Sequence, residues 1–169
     1  MPLTLAGLTT GSTTIQATDN TTQTITLPAN SGTVMVNGPT FSAYSNAGQS
    51  ISNAVFTKLQ YATKDWDTNN NYDNTTNYRF TPTVAGYYQV SANVYLNGGN
   101  SMQLSLYKNG SEYIRFTQLS GFNICGSALV YFNGSTDYVE IYMYNGNGSS
   151  VSVNGYSFNK FQAAMVRSA

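Results

Sequence analysis

The sequence contains no histidine and one cysteine, and Asp, Glu, Lys and Arg together make up 8% of its 169 residues. Without histidine, the commonest general base and transition-metal ligand is missing, and so are Ser-His-Asp and Cys-His catalytic arrangements. A single cysteine, Cys125, excludes an internal disulfide framework, and its apolar surroundings predict a buried, inert thiol. We therefore expect a non-enzyme that holds no cofactor and no metal.

Charge is scarce and balanced. The formal net charge is zero and the seven Lys and Arg residues are scattered, so the clustered basic surface of a nucleic-acid-binding protein is absent. No window approaches the ~20 apolar residues of a membrane span. The stretch after Met1 lacks the basic and apolar regions of a secretory signal, and we expect Met1 to be the true start. From these absences we expect no nucleic-acid partner and no membrane insertion. We also expect synthesis in a reducing cytoplasm.

What the sequence does have is alternation. From Tyr88 to Leu96 every second residue is apolar and the residues between are polar, which is the period of a half-buried β-strand. Asn-Gly pairs separate such runs and favour tight hairpins. The Asn-rich residues 63–77 are expected to form an exposed loop. The pattern predicts an all-β fold, an antiparallel two-sheet jelly-roll sandwich, with strands near 41–44, 54–59, 86–96, 101–107, 112–118, 123–132, 137–144, 151–153 and 160–166.

The spacing of aromatic residues between positions 61 and 90 carries a family resemblance, in the pattern Tyr61-x5-Asp67-x4-Tyr72-x7-Phe80-x5-Gly86-x-Tyr88-x-Val90. It resembles the signature of the complement globular-head domain (the C-one-q type), a relative of the tumour-necrosis-factor fold. Tyr61 and Val90 stand where that family prefers Phe, and one extra residue follows Tyr72. The resemblance covers roughly residues 40–168 and implies a TNF-like jelly roll that forms a parallel homotrimer, one sheet of each subunit facing the threefold axis.

Residues 1–39 differ from the jelly-roll domain of residues 40–169. They are rich in threonine, hold one charged residue, Asp19, and alternate in short β-branched runs near 13–17, 23–28 and 33–36. Two interpretations compete: a disordered tail, and an extended β arm that becomes ordered against other chains, which the alternation favours. The arm also resembles Thr-rich linkers of bacteriophage tail and fibre proteins, in the pieces Thr26-Leu27-Pro28-Ala29 and Gly32-Thr33-Val34.

Several strands carry tyrosine on the face that a lone sandwich would leave in water. A surplus of tyrosine on second faces indicates a further buried surface, because tyrosine combines a large apolar area with a hydrogen-bonding tip. The alternative is that these side chains decorate a solvent face. We predict that the homotrimer interface draws on Tyr95, Tyr107, Tyr142 and Tyr144.

Two polar regions are candidates for contact with a host surface glycan, because an aromatic ring can stack on a sugar while amides pair with its hydroxyls. They are the loop with Trp66, Asn69, Asn70 and Asn71, and the tips around Tyr144, Asn145 and Asn147. For Trp66 the competing interpretation is packing against its own loop. The acids Asp65, Asp67 and Asp73 lack EF-hand spacing and are interpreted as solvated loop residues.

These features together favour a structural protein of a virus particle (virion). The leading hypothesis is a trimeric bacteriophage tail fibre or receptor-binding tip, whose residues 1–38 bind other virion proteins. A capsid decoration (cement) or head-fibre protein is the alternative. A free carbohydrate-binding or adhesion module is a further one, which the lack of a secretory signal and of disulfides weakens.

Overall fold

The structure is a computed structural model, and it describes residues 3–6, 12–15 and 38–169. At the N-terminal side it gives two strands, β1 (Leu3–Ala6) and β2 (Ser12–Ile15), which pair antiparallel with Leu3 opposite Ile15. The strand expected at 13–17 therefore corresponds to β2. Those expected at 23–28 and 33–36 lie outside the described residues.

From Thr40 onward the chain consists of strands joined by turns and loops, as the alternation predicts. Most strand bounds match the predicted ones within a few residues, and no helix long and apolar enough to cross a membrane occurs in the described part of the chain. The strands are β3 (Thr40–Tyr44), β4 (Gln49–Ile51), β5 (Phe56–Lys58), β6 (Thr63–Asp67), β7 (Tyr72–Asp73), β8 (Arg79–Phe80), β9 (Gly86–Tyr95), β10 (Met102–Lys108), β11 (Ser111–Leu119), β12 (Asn123–Phe132), β13 (Val139–Asn145), β14 (Val151–Val153) and β15 (Lys160–Ser168).

Two antiparallel sheets form the sandwich. The first, the five-stranded sheet, has the order β12-β9-β15-β3-β6, and the second has the order β11-β10-β13-β8-β7 with β5 also pairing with β13. A small β14-β4 pair lies alongside and reaches the first sheet through the bridge between Leu96 and Val153. Neighbours far apart in sequence, such as β9 and β15, replace simple hairpin order. This is the predicted jelly-roll sandwich.

The aromatic residues of the family-like spacing meet in the core between the sheets. Phe41 is fully buried and stacks on Tyr72 and Phe80, with ring centroids 4.7 and 4.6 Å apart, and it meets Phe161 edge-on at 5.0 Å. The Tyr72 hydroxyl donates to the carbonyl of Tyr61 at 3.0 Å, so its polar tip is satisfied inside the core. The spacing between positions 61 and 90 thus encodes one packed aromatic cluster that joins both sheets.

Two Asn-Gly pairs show that similar sequences make different turns. Asn109 and Gly110 both have positive φ (52° and 82°) and form the two-residue hairpin between β10 and β11, as predicted. At Asn133 the side-chain oxygen instead accepts from the backbone N–H groups of Ser135, Thr136 and Asp137. The result is a longer Asx-capped loop, because the asparagine side chain replaces a backbone partner.

The prediction that residues 63–77 form one exposed loop was wrong. The segment contains the edge strand β6 and the short strand β7, and Tyr72 is buried in the core. The polar composition of β6 gives no strand signal, because an edge strand needs few apolar side chains to pair with β3.

Candidate assembly interface

The five-stranded sheet has one side in the core and one side outside it, and we call the outer side the assembly face. Strict alternation along β9 sends Tyr88, Val90, Ala92 and Val94 into the core, which leaves the alternate residues on the assembly face. The register aligns these alternate residues across the strands, so that Ser127, Ser91, Gln162, Ser42 and Trp66 form one transverse row.

One end of the assembly face carries an exposed apolar patch, the terminal patch, made of Tyr87, Leu129, Tyr131 and Val166. Tyr87 and Tyr131 are cross-strand partners with ring centroids 5.4 Å apart. Leu129 is 56% exposed and Val166 51% exposed. The four side chains border an open depression of about 700 Å³. Large apolar side chains that remain this exposed together mark a surface for another molecule.

The middle of the assembly face is polar but internally paired. The Ser42 hydroxyl donates to Asp65 at 2.6 Å and accepts from Gln162 at 3.1 Å, and Lys160 contacts the same Asp65 carboxylate at 2.5 Å. The hydrogen bonds from Lys160 and Ser42 hold the pKa of Asp65 below its ordinary value. The charges therefore compensate each other, and the central rows offer mainly hydroxyl and amide groups.

The other end of the assembly face carries four aromatic rings, which we call the distal aromatic cluster: Tyr95, Phe122, Tyr156 and Phe158. Tyr156 and Phe158 stack with centroids 4.7 Å apart, and both rings meet Tyr95 edge-on at 5.8 and 5.9 Å. Phe122 is 58% exposed and lies 6.4 Å from Tyr95. Phe122, Tyr156 and Phe158 were not predicted as site residues, because each lies in or beside a loop.

The four tyrosines predicted for a trimer interface are divided between the two sheets. Tyr95 lies on the assembly face, whereas Tyr107, Tyr142 and Tyr144 lie on the outer side of the second sheet. There, Tyr107 and Tyr142 have ring centroids 4.2 Å apart, and Phe56 packs on Tyr144 at 5.0 Å. Burial raises the pKa of both Tyr107 and Tyr142. Because they lie on two different sheets, all four cannot share one flat interface. The sequence could not show this, since alternation predicts that a strand has a second face but not which sheet the strand belongs to.

Trp66 was predicted to lie in a loop, but it lies on the edge strand β6. It is opposite Ser42 in the register and its indole N–H donates to the Thr40 hydroxyl at 3.5 Å. The side chain is 49% exposed. Trp66 therefore stands at the lateral edge of the assembly face, and its predicted contact with a receptor stays a prediction.

The asparagines after Trp66 form a tight turn around an aspartate. The Asp67 carboxylate accepts from the backbone N–H groups of Asn71 and Tyr72, at 2.9 and 3.0 Å. Asn69 and Asn70 are exposed and Asn70 adopts a positive φ of 53°. Asn71 is buried and its amide donates to the Asn69 carbonyl. This corrects the proposed glycan-contacting role of Asn71, since its side chain stabilises the turn.

Asn145 and Asn147 stabilise the loop after β13. Asn145 is fully buried and donates to the carbonyls of Ile51 and Ser149, at 2.9 and 2.8 Å. Its predicted contact with a glycan is therefore corrected, because a side chain saturated inside the fold cannot reach a ligand. Asn147 is half-buried and accepts from the backbone N–H of Asn100 at 3.0 Å.

The remaining candidates for chemistry are a thiol and the acidic side chains. Cys125 is exposed on the assembly face, not buried as predicted, because the register of β12 gives the inward position to Ile124. Asp73 is occupied by its own turn, accepting from Thr75, Thr76 and Asn77. Within residues 3–6, 12–15 and 38–169 no three His, Cys, Asp or Glu side chains are grouped as a metal site.

Comparison with known proteins places this architecture in a fold class. Murine APRIL matches with a TM-score of 0.59 at 7% identity, over 77% of this chain and 100% of that chain. Eiger TNF from S. frugiperda matches with a TM-score of 0.58 at 10% identity, over 78% of this chain and 94% of that chain. Neither protein-family models nor curated proteins gave a match. The fold is a TNF-like jelly roll, as the resemblance of the sequence implied.

Proposed function

We propose that the protein is a homotrimer whose subunits meet through the assembly face, and that this trimer is a non-enzymatic structural protein of a virus particle. The observation that carries the trimer is the exposed apolar terminal patch at one end of the assembly face. A second copy of the same chain is the natural occupant, because a face whose central charges are paired, and which offers hydroxyls and amides there, is compatible with itself. The number of subunits follows the resemblance to complement globular-head domains.

The position of the chain ends supports an attached, outward-projecting head. Pro39 accepts from the backbone N–H of Met165, and Ala169 donates to the carbonyl of Ala85. The chain therefore enters and leaves the domain beside the terminal patch. Residues 1–38 would bind other virion proteins at that end, and the distal aromatic cluster would face away from the particle.

Among virion proteins we favour a bacteriophage tail fibre or receptor-binding tip. The resemblance of residues 26–34 to bacteriophage linkers supports the arm, and the exposed aromatic rings at the end of the domain away from its entry point support contact with a host. A capsid decoration or head-fibre protein would use the same arm and the same trimer. It would not need the exposed rings.

Two measurements test this proposal. Multi-angle light scattering of the full chain at micromolar concentration should give three times the subunit mass, and a monomer would refute the trimer. Purified particles labelled with gold against this protein should show label at the tail in electron micrographs. Label over the whole capsid would favour decoration, and unlabelled particles would refute the virion assignment.

A further inference from the structure

The distal aromatic cluster lies at the end of the domain farthest from the point where the chain enters. Thr40 pairs with Ala164, which pairs with Gln89, so the entry point is level with Gln89 in β9. Tyr95 is six residues further along that strand, which corresponds to about 20 Å at the usual rise of a strand. The cluster is therefore separated from the point where the chain enters the domain by most of the length of the sheet.

A buried asparagine makes the cluster rigid. Asn159 is fully buried, donates to the carbonyl of Asn154, and accepts from the backbone N–H of Tyr95 at 2.7 Å. Its own backbone N–H bonds to the carbonyl of Tyr156 at 3.0 Å. The Asn93 amide also donates to the Phe158 carbonyl at 2.7 Å. The loop that carries Tyr156 and Phe158 is thus fixed to β9, and the rings are held in place before any ligand arrives.

The rings of the cluster contribute little to the stability of the fold, because they are largely exposed. Phe122 and Phe158 remain more than half exposed, at 58% and 53%, although burial of a phenyl ring is worth roughly 1.5–3 kcal/mol to stability. Exposure increases from Tyr95, which is half-buried at the end of the sheet, to the loops beyond the sheet. The most exposed rings therefore lie beyond the end of the sheet.

The segments that carry the cluster are uncharged and rich in amides. Residues 80–107 and 120–136 contain no Asp, Glu, Lys or Arg, and neither do residues 141–159. Lys160, which follows them, is paired with Asp65 at 2.5 Å. Asn123 is exposed and is the cross-strand partner of Tyr95. Aromatic rings beside amide groups, with no fixed charge, match a neutral polar ligand that has apolar faces. A pyranose ring has such faces, and its hydroxyls pair with both donor and acceptor of an amide.

We infer that the distal aromatic cluster binds neutral saccharide chains. The rings of Phe122 and Phe158 stack on sugar faces, and Asn123 pairs with hydroxyls at their edge. The inference rests on the proposed role in attachment and names its ligand class and its site, which differs from the region around Trp66.

The test uses the full chain and an array that carries neutral and anionic oligosaccharides, among them glucose and N-acetylglucosamine hexaoses. The variants are Phe122→Ser and Phe158→Ser. Tyr113→Ser is the matched control, because Tyr113 is 49% exposed and lies on β11 in the second sheet. Trp66→Ala tests the other candidate site. Each variant is also examined by light scattering and by thermal unfolding.

We expect the wild-type protein to bind neutral saccharides, and each Phe→Ser variant to lose roughly tenfold or more in affinity, as for aromatic hot spots. Tyr113→Ser and Trp66→Ala should bind as the wild type does. The inference is overturned if no neutral saccharide binds, if only anionic ones bind, or if Trp66→Ala alone removes binding. It is equally overturned if the Phe→Ser variants become monomers, since the cluster would then belong to the subunit interface. A wild-type monomer that still bound saccharide would refute the trimer and leave this inference intact.

Discussion

Two valines with nearly equal exposure allow the assembly face to be tested against the rest of the surface. Val166 is 51% exposed in the terminal patch, and Val55 is 50% exposed beside β5 of the second sheet. Replacing either by Asn removes the same apolar surface from a free subunit. In a trimer formed through the assembly face, Val166→Asn alone should disturb association.

The expected magnitude follows from the exposed half of the valine. Burying that half contributes about 0.8 kcal/mol per subunit, and burying an amide without a partner costs about 1–3 kcal/mol. Three subunits together lose at least about 5 kcal/mol, which raises the concentration of half-dissociation by at least about seventyfold, because that concentration follows the square root of the trimer constant.

Sedimentation velocity over a dilution series measures this concentration directly. Val55→Asn should dissociate as the wild-type protein does, and both variants should keep the wild-type melting profile of the isolated subunit. Equal behaviour of Val166→Asn and the wild type would refute the assembly face as the interface. Equal weakening by both variants would point to a general loss of stability instead.

Four further outcomes are expected. Phe41→Ala, which empties the centre of the aromatic core, should lower the free energy of unfolding by about 3–5 kcal/mol in urea titrations, and a loss below 1 kcal/mol would contradict that packing. Backbone hydrogen bonds to Asp73 hold its pKa below the ordinary 3.8, so it stabilises the fold above that pH and less as pH falls below it; Asp73→Asn should flatten this acid dependence of stability. Deleting residues 1–38 should leave a folded head that no longer joins particles, and full occupancy after deletion would refute the anchor. Trp66→Ala should leave the mass by light scattering at the trimer value, and a monomer would place Trp66 inside the interface.

The strands and their inward faces could be predicted because alternation is a local property of the chain. In β13, Val139, Ile141 and Met143 enter the core as the pattern requires, while Glu140 and Tyr142 take the other side. The edge strand β6 could not be predicted in this way. Its pairing with β3 depends on backbone hydrogen bonds, which leave no hydrophobic period in the sequence.

The assembly face could be predicted only in part, because sheet membership is a long-range property. The tyrosines favoured the second faces of β10 and β13, yet three of the four residues of the terminal patch lie on β12 and β15. A usable signal was present in residues 128–132, where every residue from Ala128 to Phe132 is apolar. A continuous apolar run in a strand indicates burial on both sides, and it identifies Leu129 and Tyr131.

The distal aromatic cluster could not have been assembled from the sequence. Its rings come from positions 95, 122, 156 and 158, and they meet because Asn159 fixes one loop to β9. No periodicity connects these positions, and an asparagine in a polar loop gives no sign that it will be buried.

The entry and exit of the chain at one end of the domain has a consequence for how such a protein can diversify. Sequence added before Thr40 or after Ser168 extends the end where the chain enters and leaves the opposite end untouched. The loops at residues 97–101 and 120–122 lie at that opposite end, where their lengths can change without shifting any strand register. The two ends of the domain can therefore change in length separately, and a peptide inserted in those loops should be displayed away from the point where the chain enters.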